Sequence, residues 1–224
     1  MDINQVLENF KDLVFNDKKL NTFRSSIKNG GTLEDVEEYA KRLAELMVKS
    51  LESVPEGTDL VPFLRQLGEE QRKYINSAYE VVQKAMNKAI EVDLNPILTK
   101  SMQEVTIDVL KKTNTNEMDI LDIVKSLEIP QITQNLKIVD TNIRSNASFQ
   151  SKNGIQITVS RYYDEVGLRN RTQKCQWCLS RTGVDVPYQE AVNRGMFERH
   201  EGCGCKIVYK TNKTLVQTRK GRFE

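Results

Sequence analysis

The sequence is short of the residues that most often carry chemistry or interrupt structure, with one histidine, one tryptophan, 5 prolines and 11 glycines in 224 residues. So little proline and glycine, with 38% hydrophobic and 29% charged residues, excludes a low-complexity or fibrous chain and leaves a globular protein of one or two domains. No apolar run approaches the roughly 18 residues of a membrane span. The start, Met1-Asp2-Ile3-Asn4-Gln5, also lacks the basic and apolar regions of a secretory leader. No membrane association is expected, and the chain is expected in a cytosol. Cysteine is scarce too: there are four, all between Cys175 and Cys205. In a reducing compartment that clustering points to metal rather than to a disulfide framework.

A large excess of either charge is missing as well, but the net +2 conceals an asymmetry. Residues 151–224 hold 14 Lys and Arg against 7 Asp and Glu, an excess of +7; of the 33 and 31 in the whole chain, the first 150 residues keep 19 and 24, or −5. Glycine shifts in the same direction, with four in the first 150 residues and seven in the last 74. A helical body followed by a turn-rich module is the organisation this implies.

Apolar residues in the body recur at intervals of three and four. Ile3, Val6, Leu7, Phe10, Leu13 and Val14 form one such stripe. Thr32, with Asp35 three residues on, resembles a capping box ahead of Leu33, Val36, Ala40, Leu43, Met47, Leu51 and Val54, a helix running up to Pro55. After a joint at 55–62, the pattern Ile75, Ala78, Val82, Met86, Ala89 and Ile90 predicts a long helix that stops near Asn95-Pro96. Further helices are expected from Ile120 to Leu127, ending before Pro130, and over 131–148. No convergent carboxylates stand out on these helices, and Glu37 with Lys41 and Glu45 with Lys49 read as solvated i,i+4 pairs. The long stripes fit an internal core or assembly with copies or partners equally well.

From Gly154 the period changes to two, with Ile155, Ile157 and Val159 on one side, which predicts a strand. A second strand is expected over Lys206-Ile207-Val208-Tyr209, and a helical turn from Tyr188 to Asn193. Between them lies the constellation Cys175-Gln-Trp-Cys178, then 21 residues, then His200-Glu-Gly-Cys203-Gly-Cys205. Zinc takes thiolate and imidazole ligands tetrahedrally, and a C-x2-C turn with a second short knuckle supplies such a set. Five candidates compete for four places. Cys175, Cys178 and His200 come first, with one or both of Cys203 and Cys205 completing the set.

Other readings of these residues are a cluster of small buried hydrophobes, a Cys-His nucleophile pair, and a zinc-assisted hydrolase with Glu198 or Glu201 as base. Four clustered cysteines argue against a free nucleophile, and a closed structural site is the expectation. Trp177, Tyr188, Met196 and Phe197 are expected to form a miniature core around the ion. The basic residues Arg161, Arg169, Arg171, Lys174, Arg181, Arg194 and Arg199 either contact phosphates or simply solubilise the module.

The run R-x7-R-x-R-x3-C-x-W-C from Arg161 to Cys178, together with Gly183 and Gly195-Met-Phe-Glu-Arg-His-Glu-Gly-Cys-Gly-Cys-Lys-Ile-Val-Tyr209, resembles the cysteine-containing end of phage minor head proteins of the Mu F-like head-morphogenesis type. The resemblance covers residues 155–209, and the preceding 150 residues match only in being helical. It supports the same five metal candidates. Where that family commonly has Pro-Asn between His and Cys and Arg between the last two cysteines, this chain has Glu201-Gly202 and Gly204, which implies a slacker loop. The resemblance implies a virion component in few copies inside the phage head, assembled in the host cytoplasm. Its partners would be the portal or major capsid protein and, through the basic module, viral DNA. It implies no catalytic activity. A phage nucleic-acid enzyme, such as a zinc-dependent nuclease, is the alternative, disfavoured by the single histidine. A DNA-binding regulator would lack a helix-turn-helix. The expected fold is therefore mainly α: a helical body over 1–150 and a small zinc-stabilised α+β module over 151–224.

Overall fold

A computed structural model describes residues 2–113, 118–165, 167–168 and 174–211. Arg169 and Arg171, both part of the motif above, lie outside the described residues. Seven helices precede the module: α1 (Ile3–Asn16), α2 (Lys18–Lys28), α3 (Leu33–Leu51), α4 (Val61–Ala89), α5 (Val105–Lys112), α6 (Ile120–Ser126) and α7 (Glu128–Lys152). The module then follows as β1 (Ile157–Tyr162), α8 (Gln176–Leu179), β2 (Gly183–Pro187), α9 (Tyr188–Asn193) and β3 (Lys206–Thr211). Its three strands form one antiparallel sheet in the order β2-β1-β3. The mainly helical fold with a small C-terminal α+β part is as expected.

Capping chemistry sets several boundaries. Thr32 and Asp35 form the capping box read from the sequence, each side chain bonding the other's backbone N–H. Asp17 closes α1 and caps α2, its carboxylate accepting from Leu20 N at 2.7 Å. α2 and α5 have no counterpart among the expected helices. Their fully buried apolar residues number two and one, Leu20 and Ile27 in the first and Ile107 in the second. Helix α4 begins at Val61, well before Ile75, because Pro62 sits in its first turn, where no N–H is needed. Pro130 does the same in α7, so it opens that helix instead of only ending the one before.

Helix α3 lies at the centre, packed on α1, α2, α4 and α7. The α4–α7 seam is polar: buried amides recur along α7 at Gln131, Gln134, Asn135, Asn142, Asn146 and Gln150. Gln131 donates to Gln71 Oε1 at 2.7 Å, Asn142 to Asn76 Oδ1 at 2.9 Å and Gln150 to Asn87 Oδ1 at 2.8 Å. The same side chains hold the connection after α4, where Ile97 N donates to Asn146 Oδ1 and Thr99 N to Asn142 Oδ1. An apolar-periodicity reading passes over such a seam, because the buried face carries amides paired with one another.

One hydrophobic cluster runs from Val6 and Phe10 through the body to Ile157, Val159, Val186, Ala191, Ile207 and Tyr209 of the module. Tyr188, Met196 and Phe197 join this cluster, and only Trp177 of the expected miniature core packs beside the cysteines. The module is too small to enclose those side chains itself and buries them against α7. No helix is long and apolar enough to cross a membrane among the described residues.

Candidate metal centre

The C-x2-C pair sits on the single turn of α8. Leu179 N bonds to Cys175 O at 3.0 Å, and the N–H of Cys175 is held by Tyr163 Oη at 2.7 Å. The second knuckle follows α9, where Cys203 N donates to His200 O at 3.2 Å and closes a turn through Gly202. Gly202 has φ +72°, a conformation that favours glycine, and its buried N–H donates to Thr133 Oγ1 of α7 at 3.0 Å. The glycines therefore do not leave this loop slack: it is tied to the body. At Gly204 a Cβ would lie 2.0 Å from Asp164 Oδ2, so the close approach of that carboxylate requires glycine.

All five candidates converge. Their ligand atoms form two overlapping triads, Cys175-Cys178-His200 and Cys178-Cys203-Cys205, within each of which the atoms lie within 4.8 Å of one another. His200 Nε2 is 3.3 Å from Cys175 Sγ and 3.0 Å from Cys178 Sγ, and Cys178 Sγ is 3.6 Å from Cys203 Sγ. A tetrahedron with metal–sulfur bonds of about 2.3 Å has sulfur–sulfur edges of about 3.8 Å, so these separations suit ligands around one ion. They are far beyond the roughly 2.05 Å of a disulfide. The histidine is oriented for the purpose. Its Nδ1 lies 2.7 Å from Glu201 O, and donation there leaves the Nε2 lone pair facing the sulfurs. Trp177 packs edge-on against the His200 ring, with centroids 4.9 Å apart.

The surroundings disfavour anionic sulfur at Cys178 and Cys203 unless a cation joins them. Burial pushes the Cys178 thiol up to about 12, with Cys203 beside it adding to the shift. Cys203 is raised further, by its hydrogen bond to Cys205 and by burial, while Cys205 is lowered as the acceptor of that bond and by the Asp164 backbone. Arg161, 1% exposed, donates to Met196 O at 2.7 Å and to Glu198 O, and its Nη2 is 3.4 Å from Cys203 Sγ. It has no carboxylate partner among the described residues. A buried guanidinium needs a compensating negative charge, and the nearest available source is the cysteine cluster. A metal bound by three or more thiolates would supply it. The five residues could hold a metal ion.

No family model, curated protein or solved structure matches this chain.

Other charged residues are placed differently from the sequence reading. Glu37 and Asp140, each 2% exposed, converge on Arg199, so Glu37 is not a solvated partner of Lys41. Arg199 makes a bidentate pair with Asp140 at 2.7 and 3.0 Å, lies 3.7 Å from Glu37 Oε1 and donates to Cys203 O at 2.9 Å. Burial raises Glu37 to about 7, against the opposing pull of Arg199. Lys206 of β3 pairs with the buried Glu34 of α3. The signal for both acids was absent from periodicity, because their cationic partners lie more than 50 residues away. Glu45 is engaged by Arg42.

Four of the described arginines of the module are committed to the protein itself. Arg161 and Arg199 are buried, Arg181 stacks over Trp177 with Cζ 3.9 Å from the ring centroid, and Arg194 bonds Thr182 O and lies 3.6 Å from Glu190. Glu198 pairs with Arg181 at 3.5 Å.

Proposed function

We propose that the chain is a phage minor head protein whose C-terminal module is held by one structural zinc ion. The observation that carries the metal half is the buried Arg161 facing Cys203 Sγ without a carboxylate, next to five soft and borderline donors. Zinc is the divalent ion best suited to a thiolate-imidazole set in a reducing compartment. Four protein ligands close its coordination, so no water is activated and the role is mechanical. The head-protein half rests on the resemblance of residues 155–209. The acidic helical body is the part that meets portal or capsid subunits.

The alternative, a zinc-dependent nuclease or hydrolase, needs an open coordination position and a base. Glu198 is engaged by Arg181, which favours a surface role for it. The test compares phages carrying Cys175→Ser, His200→Ala, Glu198→Gln and Glu201→Gln. Loss of the protein from particles in the first two, with normal particles and plaque yield in the last two, is the expected outcome. Normal particles with a plaque yield reduced by orders of magnitude in either glutamate variant would overturn the scaffold reading. Metal analysis of the purified protein should find about one zinc per chain, since the five candidates converge on one place.

A further inference from the structure

Most of helix α7 is buried, and the stripe it leaves to solvent is chemically one-sided. From Gln131 to Lys152, the residues that reach the surface include the cations Lys137, Arg144 and Lys152 and no carboxylate. The only acid in that part of the helix, Asp140, is buried against Arg199. Three serines, Ser145, Ser148 and Ser151, lie among the cations, and their hydroxyls make no hydrogen bond among the described residues. Arg144 and Lys152 make no ion pair there either, while Lys137 donates to Gln103 Oε1 at 2.9 Å. Two open clefts flank the stripe and share Arg144 and Ser145. One, of about 260 Å³, is bordered by Lys137, Thr141 and Phe197; the other, of about 410 Å³, by Phe149, Lys152 and Tyr188.

We propose that this α7 stripe binds the phosphate backbone of nucleic acid. At 1.5 Å per residue the three cations span about 22 Å of helix, with steps of about 10 and 12 Å, the axial length of some six to seven nucleotides of one duplex strand. Spaced cations with interleaved hydroxyl donors match a repeating polyanion. The proposal moves the nucleic-acid contact away from the cysteine module, where Arg161, Arg181, Arg194 and Arg199 are already engaged by the protein. Of the acids near the stripe, Glu198, at the rim of the first cleft, is paired with Arg181, and Asp108 attracts Lys137. The inference deepens the head-protein reading without depending on the metal, because zinc content and particle incorporation are read separately.

The test uses the purified full-length protein and a fluorescein-labelled 20-base-pair duplex of mixed sequence, with binding followed by anisotropy across a salt series. The triple variant Lys137→Gln/Arg144→Gln/Lys152→Gln should bind at least about tenfold more weakly at low salt, with the slope of log K against log salt shallower by about 2.7, or 0.9 per lost phosphate contact. A control triple on α2, Lys18→Gln/Lys19→Gln/Lys28→Gln, removes the same charge from exposed positions and should change binding by less than about twofold. Zinc content and circular dichroism establish that each variant is folded. Arg144→Glu alone, at an exposed position, is the second probe should the triple variant fail to fold, and it should also weaken binding. No measurable binding by the wild type would overturn the proposal. So would equal losses in the two triples, or displacement of the duplex by polyglutamate at equal charge concentration.

Discussion

Replacing Asp140 by Asn tests whether the cysteine module and the helical body are fastened by buried charge. The substitution keeps the shape of the side chain but removes the carboxylate that Arg199 grips at 2.7 and 3.0 Å, in a place where both side chains are almost sealed from water. Removing one member of a buried pair costs about 3–5 kcal/mol, because the remaining charge stays desolvated. Here Glu37 Oε1, 3.7 Å from Arg199, offers a substitute. Asp140 is one of the groups that hold Glu37 above its ordinary range, so Glu37 should ionise more readily in the variant and return part of the loss. The expected net cost is therefore near the lower end, about 3 kcal/mol at pH 7.5, which for a chain of this size lowers the melting temperature by roughly 6–12 °C. Urea titration of the purified protein, followed by far-ultraviolet circular dichroism and by Trp177 fluorescence, reads this directly. The first probe reports the helices and the second the neighbourhood of the cysteines. The transitions should shift together, because one hydrophobic cluster spans both parts. A cost below about 1 kcal/mol would mean that the pair is effectively a surface pair, and the reasoning from burial would fail.

Three further outcomes follow from the same structure. Glu37→Gln should change the pH dependence of stability with a definite sign. The folded-state value of Glu37 is raised from 4.5 to about 7, so its contribution to stability is fully present below about pH 4.5 and is lost as pH rises to about 7. The advantage of the Gln variant over wild type should grow across that window by up to about 3 kcal/mol, and a difference independent of pH in paired urea titrations would refute it. Cys178→Ser removes the sulfur common to both triads and should abolish zinc binding, with metal analysis below about 0.2 per chain; retention of near-stoichiometric zinc would show that the ion sits elsewhere. Asn142→Leu deprives both Asn76 Oδ1 and Thr99 N of their partner and should destabilise the protein by about 2–5 kcal/mol, whereas a neutral effect in thermal unfolding would show that water enters the seam.

Local rules made much of this protein legible. The α3 helix follows from a capping box and a stripe of apolar residues, six of which lie in it; it ends at Leu51, short of the expected Pro55. The α9 turn and the strands β1 and β3 follow from changes in period. The five metal candidates follow from spacing, because a C-x2-C turn and a short second knuckle are local devices. Short helices such as α2 and α5 were not legible, since two or one fully buried apolar residues make a weak periodic signal. Strand β2 was missed for a related reason: its burial does not alternate, and Asp185 adopts φ +53° within it.

The sequence by itself determined the helical body, the strands flanking the cysteines and the candidate metal donors, because each depends on residues within a few positions of one another. Only the tertiary structure decided what the charges do. Glu37, Asp140 and Arg199 are separated by 103 and 59 residues along the chain, and Glu34 and Lys206 by 172. A carboxylate on a helix reads as solvated until the fold brings a cation over it. The same holds for the arginines of the module, which packing draws inward onto carbonyls, sulfur and an indole ring. The exposed stripe of α7 is what remains after every other face of that helix has been covered, and coverage is a property of the assembled fold, with no local signature in the sequence.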